Sequence, residues 1–181
     1  ACLCLGNTSS TPDARLPIAE DGILTDLINF IDNDEGDVIG RQYGAMALGN
    51  LAAEPLNHDD IVKGNAIGAL VKLLNSEETQ SGVYAAFALG NIAVNNEHRA
   101  QVVDEGAVAP LIALACRDDL NAQQQALAAL RGICIGPDFR TVVVREGILD
   151  PLVLMARSED LTIRRDVAAA FCTLSCMEDN K

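Results

Sequence analysis

The sequence repeats itself with a period of 41 residues, and this recurrence constrains the fold more than any other feature. The segment Ala-Leu-Gly-Asn-Leu-Ala at 47–52 returns, with substitutions, at 88–93, 129–134 and 170–175, each 41 residues further on. An earlier partial copy, at 4–8, precedes the first by 43 residues. Repeated units of this size cannot bury an apolar face alone and must stack on their neighbours. The sequence therefore predicts a stack of units that curls into a superhelix.

Each period contains three apolar stretches with the spacing of helices. The first stretch is short and follows Pro or Asn, the second follows a Gly (Gly22, Gly106 or Gly147), and the third is long and rich in Ala. Only 3% of the residues are aromatic and none is Trp, so the core must be built from Ala, Leu, Ile and Val, which suits close-packed helices. We expect an all-α chain with three helices per unit.

Two of the recurring segments carry a family resemblance. Gly-Ala-Val-Ala-Pro-Leu at 106–111 and Ala-Leu-Gly-Asn-Ile-Ala at 88–93 are similar to segments of the armadillo repeat. The resemblance implies a right-handed superhelical solenoid of three-helix repeats that forms one array over residues 1–181. In that register, residues 1–11 end a partial repeat, 12–54, 55–95, 96–136 and 137–177 are full repeats, and 178–181 begin another, so both ends interrupt the array.

The armadillo resemblance also implies a binding groove. In this family the third helices line the concave face, and an Asn on each binds the main chain of an extended peptide. The matching residues are Asn7, Asn50 and Asn91. A carboxamide offers two donors and one acceptor, so it can hold both N–H and C=O groups of a peptide. The alternative is that these amides bridge to the backbone of the neighbouring repeat.

Further candidate peptide-binding residues share a helix face with the Asn column, because residues one and two turns apart lie on the same side. One turn before the Asn are Met46 and Phe87, and one turn after it are Glu54 and Asn95. Two turns before it are Tyr43, Tyr84 and, in the next repeat, Gln125. These residues predict a mixed apolar, phenolic and amide floor for a segment with some hydrophobic side chains, although Met46 and Phe87 also suit the core. The Asn column ends at Gly132 and Thr173.

A second column is basic or potentially basic in every repeat. We interpret it as structural, joining adjacent repeats or the ends of first helices. Its members are Arg15, His58, Arg99, Arg140 and Lys181.

The cysteines and histidines predict neither a disulfide framework nor a metal site. Six cysteines lie in apolar helical stretches, where Cys acts as a small hydrophobic residue, at positions 2, 4, 116, 134, 172 and 176. None has a partner at zinc-finger spacing, and His58 and His98 stand alone. We expect a reducing compartment, cytoplasmic or nuclear.

Charge and motifs exclude several classes of function. The net charge of −13 repels nucleic acid and anionic membrane surfaces, and no apolar run is long enough to span a membrane. The acidic residues cluster beside predicted loops, for example at 32–37, 59–60 and 77–78, which is typical of a solvated surface. No nucleotide loop, nucleophile motif or metal motif occurs, so we expect no enzyme and no cofactor.

The most direct interpretation is a non-enzymatic scaffold that binds an extended segment of a partner protein. Residues 87–97 resemble vacuolar and general scaffold armadillo proteins most closely. One alternative is a structural component of a cytoskeletal or ciliary assembly. Another is a receptor of the nuclear import adaptor type, which the absence of Trp disfavours, because those adaptors pair Trp with the Asn. Self-association through uncapped ends is a further expectation.

Overall fold

The computed structural model describes residues 1–33 and 37–176, and these residues form an array of thirteen α-helices without a β-strand. The helices are α1 Cys2–Ser9, α2 Arg15–Glu20, α3 Ile23–Asp32, α4 Val38–Leu51, α5 His58–Lys63, α6 Ala66–Leu74, α7 Thr79–Ala93, α8 Asn96–Asp104, α9 Val108–Ala115, α10 Leu120–Cys134, α11 Pro137–Arg145, α12 Leu149–Met155 and α13 Leu161–Ser175. Short 3₁₀ turns, Pro12–Ala14 and Pro55–Asn57, precede α2 and α5. The predicted all-α class is confirmed.

The helices recur in threes, as the apolar pattern predicts. First helices are α2, α5, α8 and α11, second helices are α3, α6, α9 and α12, and long third helices are α4, α7, α10 and α13. Helix α1 belongs to the third type and packs against α4. Consecutive third helices lie side by side, with α4 against α7, α7 against α10, and α10 against α13.

Each second helix follows a residue with a left-handed backbone. Gly22, Gly106 and Gly147 have φ angles of 76°, 80° and 93°. In the remaining unit, 55–95, the equivalent residue is Asn65, with a φ angle of 63°. Asn tolerates this conformation better than most side chains because its short polar group can bond locally. The turn between first and second helices is therefore the same in all four units.

Third helices begin at acidic N-caps that account for some of the acidic residues near loops. Asp37 accepts hydrogen bonds from the N–H groups of Ile39 and Gly40, and Asp160 accepts from Thr162 and Ile163. Asp119 caps α10 in the same way. These carboxylates satisfy free amide donors and interact favourably with the helix dipole.

The basic column fastens each first helix to the third helix before it. The Nε atoms of Arg99 and Arg140 donate to the carbonyls of Ala93 and Cys134, both at 2.8 Å. Arg15 Nε donates to the carbonyl of Ser9 at 3.2 Å, and His58 Nε2 lies 2.7 Å from the carbonyl of Ala52. All four side chains reach a carbonyl six residues earlier, so the structural interpretation is confirmed for them. Lys181 lies outside the described residues.

The expectation that the cysteines behave as buried hydrophobic residues is wrong for most of them. Only Cys134 is buried, and Cys2 is half-buried. The other four are exposed, and they are Cys4, Cys116, Cys172 and Cys176. All six thiols are free.

Cysteine reactivity should separate these two groups. Burial raises the pKa of Cys134 to about 11, against an opposing effect of the nearby Arg140 cation. At pH 8 only about one in a thousand such thiols is a thiolate, the reactive form. We expect iodoacetamide to alkylate the four exposed cysteines in the folded protein and Cys134 only after unfolding, as measured by peptide mass spectrometry. Rapid labelling of Cys134 in the folded chain would contradict the burial.

The structure describes part of the residues on which the predictions about the surface and the two ends rest. The acidic clusters at 59–60 and 77–78 are exposed, whereas Asp32 is half-buried and accepts a hydrogen bond from Lys72 Nζ at 2.6 Å. Asp34 and Glu35 lie outside the described residues, as do 178–181, so the repeat expected to begin there stays a prediction. Within the described ranges, no helix is both long and apolar enough to cross a membrane.

Candidate functional site

A groove of about 350 Å³ crosses four consecutive helices of the third type. Its lining comes from α1, α4, α7 and α10, together with Ser10 just after α1. The volume is at the low end of the ~300–1,000 Å³ range typical of ligand sites. A groove that follows successive parallel helices suits an elongated ligand.

Six of the ten candidate peptide-binding residues line this groove. They are Asn7, Met46, Asn50, Tyr84, Phe87 and Gln125. They come from four different helices, so the repeat register brings together residues that are 118 positions apart at the extremes, from Asn7 to Gln125. None of the residues that line the groove carries a charge.

The floor is apolar because two large side chains lie over glycines of the preceding helix. A Cβ atom on Gly49 would lie 2.5 Å from Cδ1 of Phe87, and one on Gly6 would overlap Cε of Met46. Phe87 and Met46 are each half-buried and each line the groove. They therefore combine the two roles that the sequence left open, packing between repeats and forming the floor.

The Asn column hydrogen-bonds to the neighbouring repeat. Asn50 Nδ2 donates to the carbonyl of Gly6 at 3.0 Å and to Ser9 Oγ at 3.3 Å. Asn91 Nδ2 donates to the carbonyl of Gly49 at 3.0 Å. The alternative interpretation, in which the amides bridge to the neighbouring repeat, is therefore confirmed for the Nδ2 groups of Asn50 and Asn91. Each carboxamide also has an oxygen that this contact does not use, and Asn91 has a second N–H as well.

We expect Asn50→Ala to lower the free energy of unfolding by about 1–2 kcal/mol, because the carbonyl of Gly6 loses its donor in a partly buried contact. Asn91→Ala should cost about 1 kcal/mol for the same reason. Urea denaturation followed by far-UV circular dichroism measures both. Asn29→Ala, on the exposed face of α3, is the matched control and should change stability by less than about 0.5 kcal/mol. Equal free energies of unfolding for all three variants would show that the bridging hydrogen bonds do not stabilise the array.

Four candidate residues lie outside the groove lining. Tyr43 lines a separate depression with Phe30 and residues at the start of α1. Asn95 caps α8, where its Oδ1 accepts from the N–H of Glu97 at 3.0 Å, and Glu54 caps the turn before α5. Asn91 follows Phe87 by one turn but is absent from the lining. The structure thus gives capping contacts to the two residues chosen one turn after the Asn.

Sequence reasoning missed four residues of the lining, namely Gly6, Ser10, Val83 and Asn121. Asn121 lies one turn before Gln125 on α10, so continuing the same helical step would have found it. Val83 is next to Tyr84 and is almost fully buried, at 3% exposed. Gly6 has no side chain, and Ser10 lies just after the end of α1, so the helical step reaches neither of them.

The apolar lining does not extend to the step between α10 and α13, where the structure has an ion pair. Arg131 occupies the position of Gly49 and Gly90 in the repeat, and its Nη1 lies 3.4 Å from Oδ1 of Asp166. Asp166 occupies the position of Tyr84 two repeats earlier. The step from α10 to α13 therefore presents charge where the equivalent positions of the earlier repeats have Gly, Tyr or Gln.

The two histidines do not stand alone in three dimensions, so that expectation is wrong. The ring centroids of His58 and His98 are 6.2 Å apart in an edge-to-face arrangement, and His98 Nε2 lies 2.8 Å from Oδ1 of Asp59. Asp59, Glu97 and His98 each offer one potential ligand atom, and these three atoms lie within 4.8 Å of one another. The sequence missed this because the residues meet only across adjacent first helices. Exposed carboxylates often adjoin a histidine without a metal, and the prediction of no metal site stays a prediction.

Comparisons with known proteins agree with this architecture. A sequence model of the Armadillo/beta-catenin-like repeat matches residues 95–135. An engineered protein of known structure is 29% identical, with a TM-score of 0.88 over 94% of this chain and 71% of that chain. A computationally designed armadillo repeat protein for modular peptide recognition is 23% identical, with a TM-score of 0.90 over 98% of this chain and 75% of that one.

A third solved structure is a designed armadillo repeat protein in complex with the peptide (KR)4. It is 22% identical, with a TM-score of 0.86 over 94% of this chain and 72% of that chain. At this level of identity, the last two structures show a shared fold alone. The search of curated protein sequences gave no match.

Proposed function

The chain belongs to the armadillo repeat family, and from this premise we propose that it is a non-enzymatic scaffold that binds an extended segment of a partner protein along its third helices. The observation that carries the proposal is the groove across α1, α4, α7 and α10, with its apolar floor and amide rim. Two designed relatives of the same fold are described as peptide binders, one of them with a bound peptide, which supports a peptide as the ligand class.

The groove has the chemistry that an extended peptide needs. Carboxamides of Asn7, Asn50, Asn121 and Gln125 offer donors and acceptors to a main chain that has no partner strand. Neighbouring helices are spaced by about 8–10 Å and an extended chain advances about 3.3 Å per residue. Four helices therefore accommodate about eight residues. Binding of this kind requires no cofactor and no chemical step.

A selection tests the proposal with a displayed library of natural disordered segments. The target is the parent chain and, in parallel, the double variant Tyr84→Ala with Gln125→Ala. These two residues line the groove, and no hydrogen bond that we describe between repeats depends on them, unlike Asn50 and Asn91. We expect peptides enriched on the parent to lose at least about tenfold in affinity on the groove variant.

The matched control is Leu56→Ala with Gln101→Ala, since neither residue lines the groove and Leu56 is 73% exposed. Thermal melts must show that both double variants fold. Peptides that bind the parent, the control and the groove variant equally would contradict the proposal, as would a selection without enriched peptides. That outcome would favour the alternative of an assembly component with a broad contact surface, or of self-association.

The compartment stays a proposal. A reducing location, cytoplasmic or nuclear, is supported by six free thiols, four of them exposed. In a reducing compartment, such exposed thiols are kept reduced by the glutathione and thioredoxin systems.

A further inference from the structure

The groove has an apolar floor that faces solvent without any charged neighbour in its lining. Phe87 and Met46 each use one side to cover a glycine of the preceding helix and leave the other toward the groove, which Val83 also lines. The rim is made of neutral carboxamides, a phenol and a hydroxyl. A charged side chain that enters this floor would lose its hydration and gain no counter-ion.

We propose that the bound segment inserts an uncharged aliphatic side chain, such as Leu, Ile or Met, at the step between α4 and α7. The inference rests on the proposed function and adds the chemistry of the ligand to it. The aliphatic anchor covers Met46 and Phe87, while the amides of Asn50 and Gln125 on either side hold the main chain. Affinity comes from removing both apolar surfaces from water, and selectivity comes from the absence of charge in the lining.

The net charge of the chain favours a basic ligand, but this attraction acts over a longer distance than the contacts inside the groove. A net charge of −13 raises the local concentration of cations and affects the association rate. The acidic residues at 59–60 and 77–78 that contribute to it lie on first helices and on loops between helices, outside the groove lining. Basic residues that flank the anchor are therefore compatible with the groove, whereas a basic anchor is not.

The ion pair between Arg131 and Asp166 limits where the anchor can sit. At the step from α10 to α13, the glycine position is an arginine whose side chain is 43% exposed. The positions of Met46 and Phe87 become Ala128 and Ala169 there. An aliphatic side chain gains less contact at this step than at the step between α4 and α7.

The test uses a displayed library of random twelve-residue peptides on the parent chain and on Met46→Glu, which places a carboxylate in the floor. On the parent, we expect an aliphatic residue at one fixed position of the enriched peptides. Replacing that residue by Lys or Glu in the synthetic peptide should weaken binding by about tenfold or more. On Met46→Glu, we expect the same position to change to Lys or Arg.

Two further variants keep the outcome interpretable. If Met46→Glu does not fold, Gln125→Glu puts the carboxylate at the rim and should give the same change in preference. Gln101→Glu, outside the groove, is the matched charge control and should keep the aliphatic preference. Peptides that need Tyr84 and Gln125 but carry a charged anchor on the parent would overturn the inference and leave the proposed function intact. A selection without any groove-dependent peptide would overturn both.

Discussion

We expect Gly90→Val to lower the free energy of unfolding by about 3 kcal/mol, because the third helices of adjacent repeats touch at this point. A Cβ atom on Gly90 would lie 3.1 Å from Cα of Ala129 and 3.4 Å from its Cβ. The first of these is a backbone atom, which cannot rotate away as a flexible side chain would. The two γ-methyl groups of Val add further volume, so α7 and α10 must separate. Urea denaturation followed by circular dichroism measures the loss.

A glycine in open surroundings provides the control. Gly68 lies within α6, and the nearest atoms to an added Cβ are side-chain atoms of Asn65, at 3.6 Å. Gly68→Val should change stability by no more than about 0.5 kcal/mol, since Val has a slightly better helix propensity than Gly and meets no backbone. If Gly90→Val and Gly68→Val were equally stable, the close approach of α7 and α10 would be refuted.

We expect Arg99→Ala to lower the free energy of unfolding by about 3 kcal/mol, because two hydrogen bonds from a charged donor are lost in the interior. Arg99 is 3% exposed, and its guanidinium donates to the carbonyls of Ala93 at 2.8 Å and Val94 at 2.9 Å. Burial lowers the pKa of Arg99, yet arginine stays a cation in proteins. The aliphatic part of the side chain also packs against Gly136, so Ala leaves a gap.

The preceding repeat suggests a conservative replacement. His58 occupies the equivalent position, and its Nε2 makes the same contact with the carbonyl six residues earlier, at 2.7 Å. Arg99→His should therefore recover about half of the loss, since one of two donors is restored. Denaturation midpoints of Arg99→Ala and Arg99→His test this directly. Equal midpoints would show that the hydrogen bond to the end of α7 contributes little.

Most of the architecture could be predicted because contacts in a repeat array are themselves periodic. A residue in one unit packs against the same few positions in the next, so recurrence along the chain reports tertiary neighbours. The left-handed turns at Gly22, Gly106 and Gly147 follow from residue type alone. Asn65 shows the limit of that inference, because the turn persists where the glycine does not.

The candidate site was predictable in part. Stepping back along the third helices from Asn50, Asn91 and the equivalent Gly132 reached Met46, Tyr84, Phe87 and Gln125. All four line the groove, whereas Tyr43, reached by the same step, lines a separate depression. The same step forward reached Glu54 and Asn95, which cap the following helix or turn because the third helix has ended there. Helical periodicity holds only as far as the helix does, and the ends of helices are the least certain part of a sequence pattern.

The sequence by itself determined the repeat, the three helices of each unit and the columns that meet between units, because these depend on short-range periodicity. Only the tertiary structure decided how each side chain uses its contacts. It directs the amide nitrogens of Asn50 and Asn91 to a neighbouring carbonyl, places Phe87 over Gly49, joins His98 to Asp59, and leaves four cysteines in solvent. These outcomes depend on the rotation and distance between adjacent helices, which residue types at a fixed spacing do not specify.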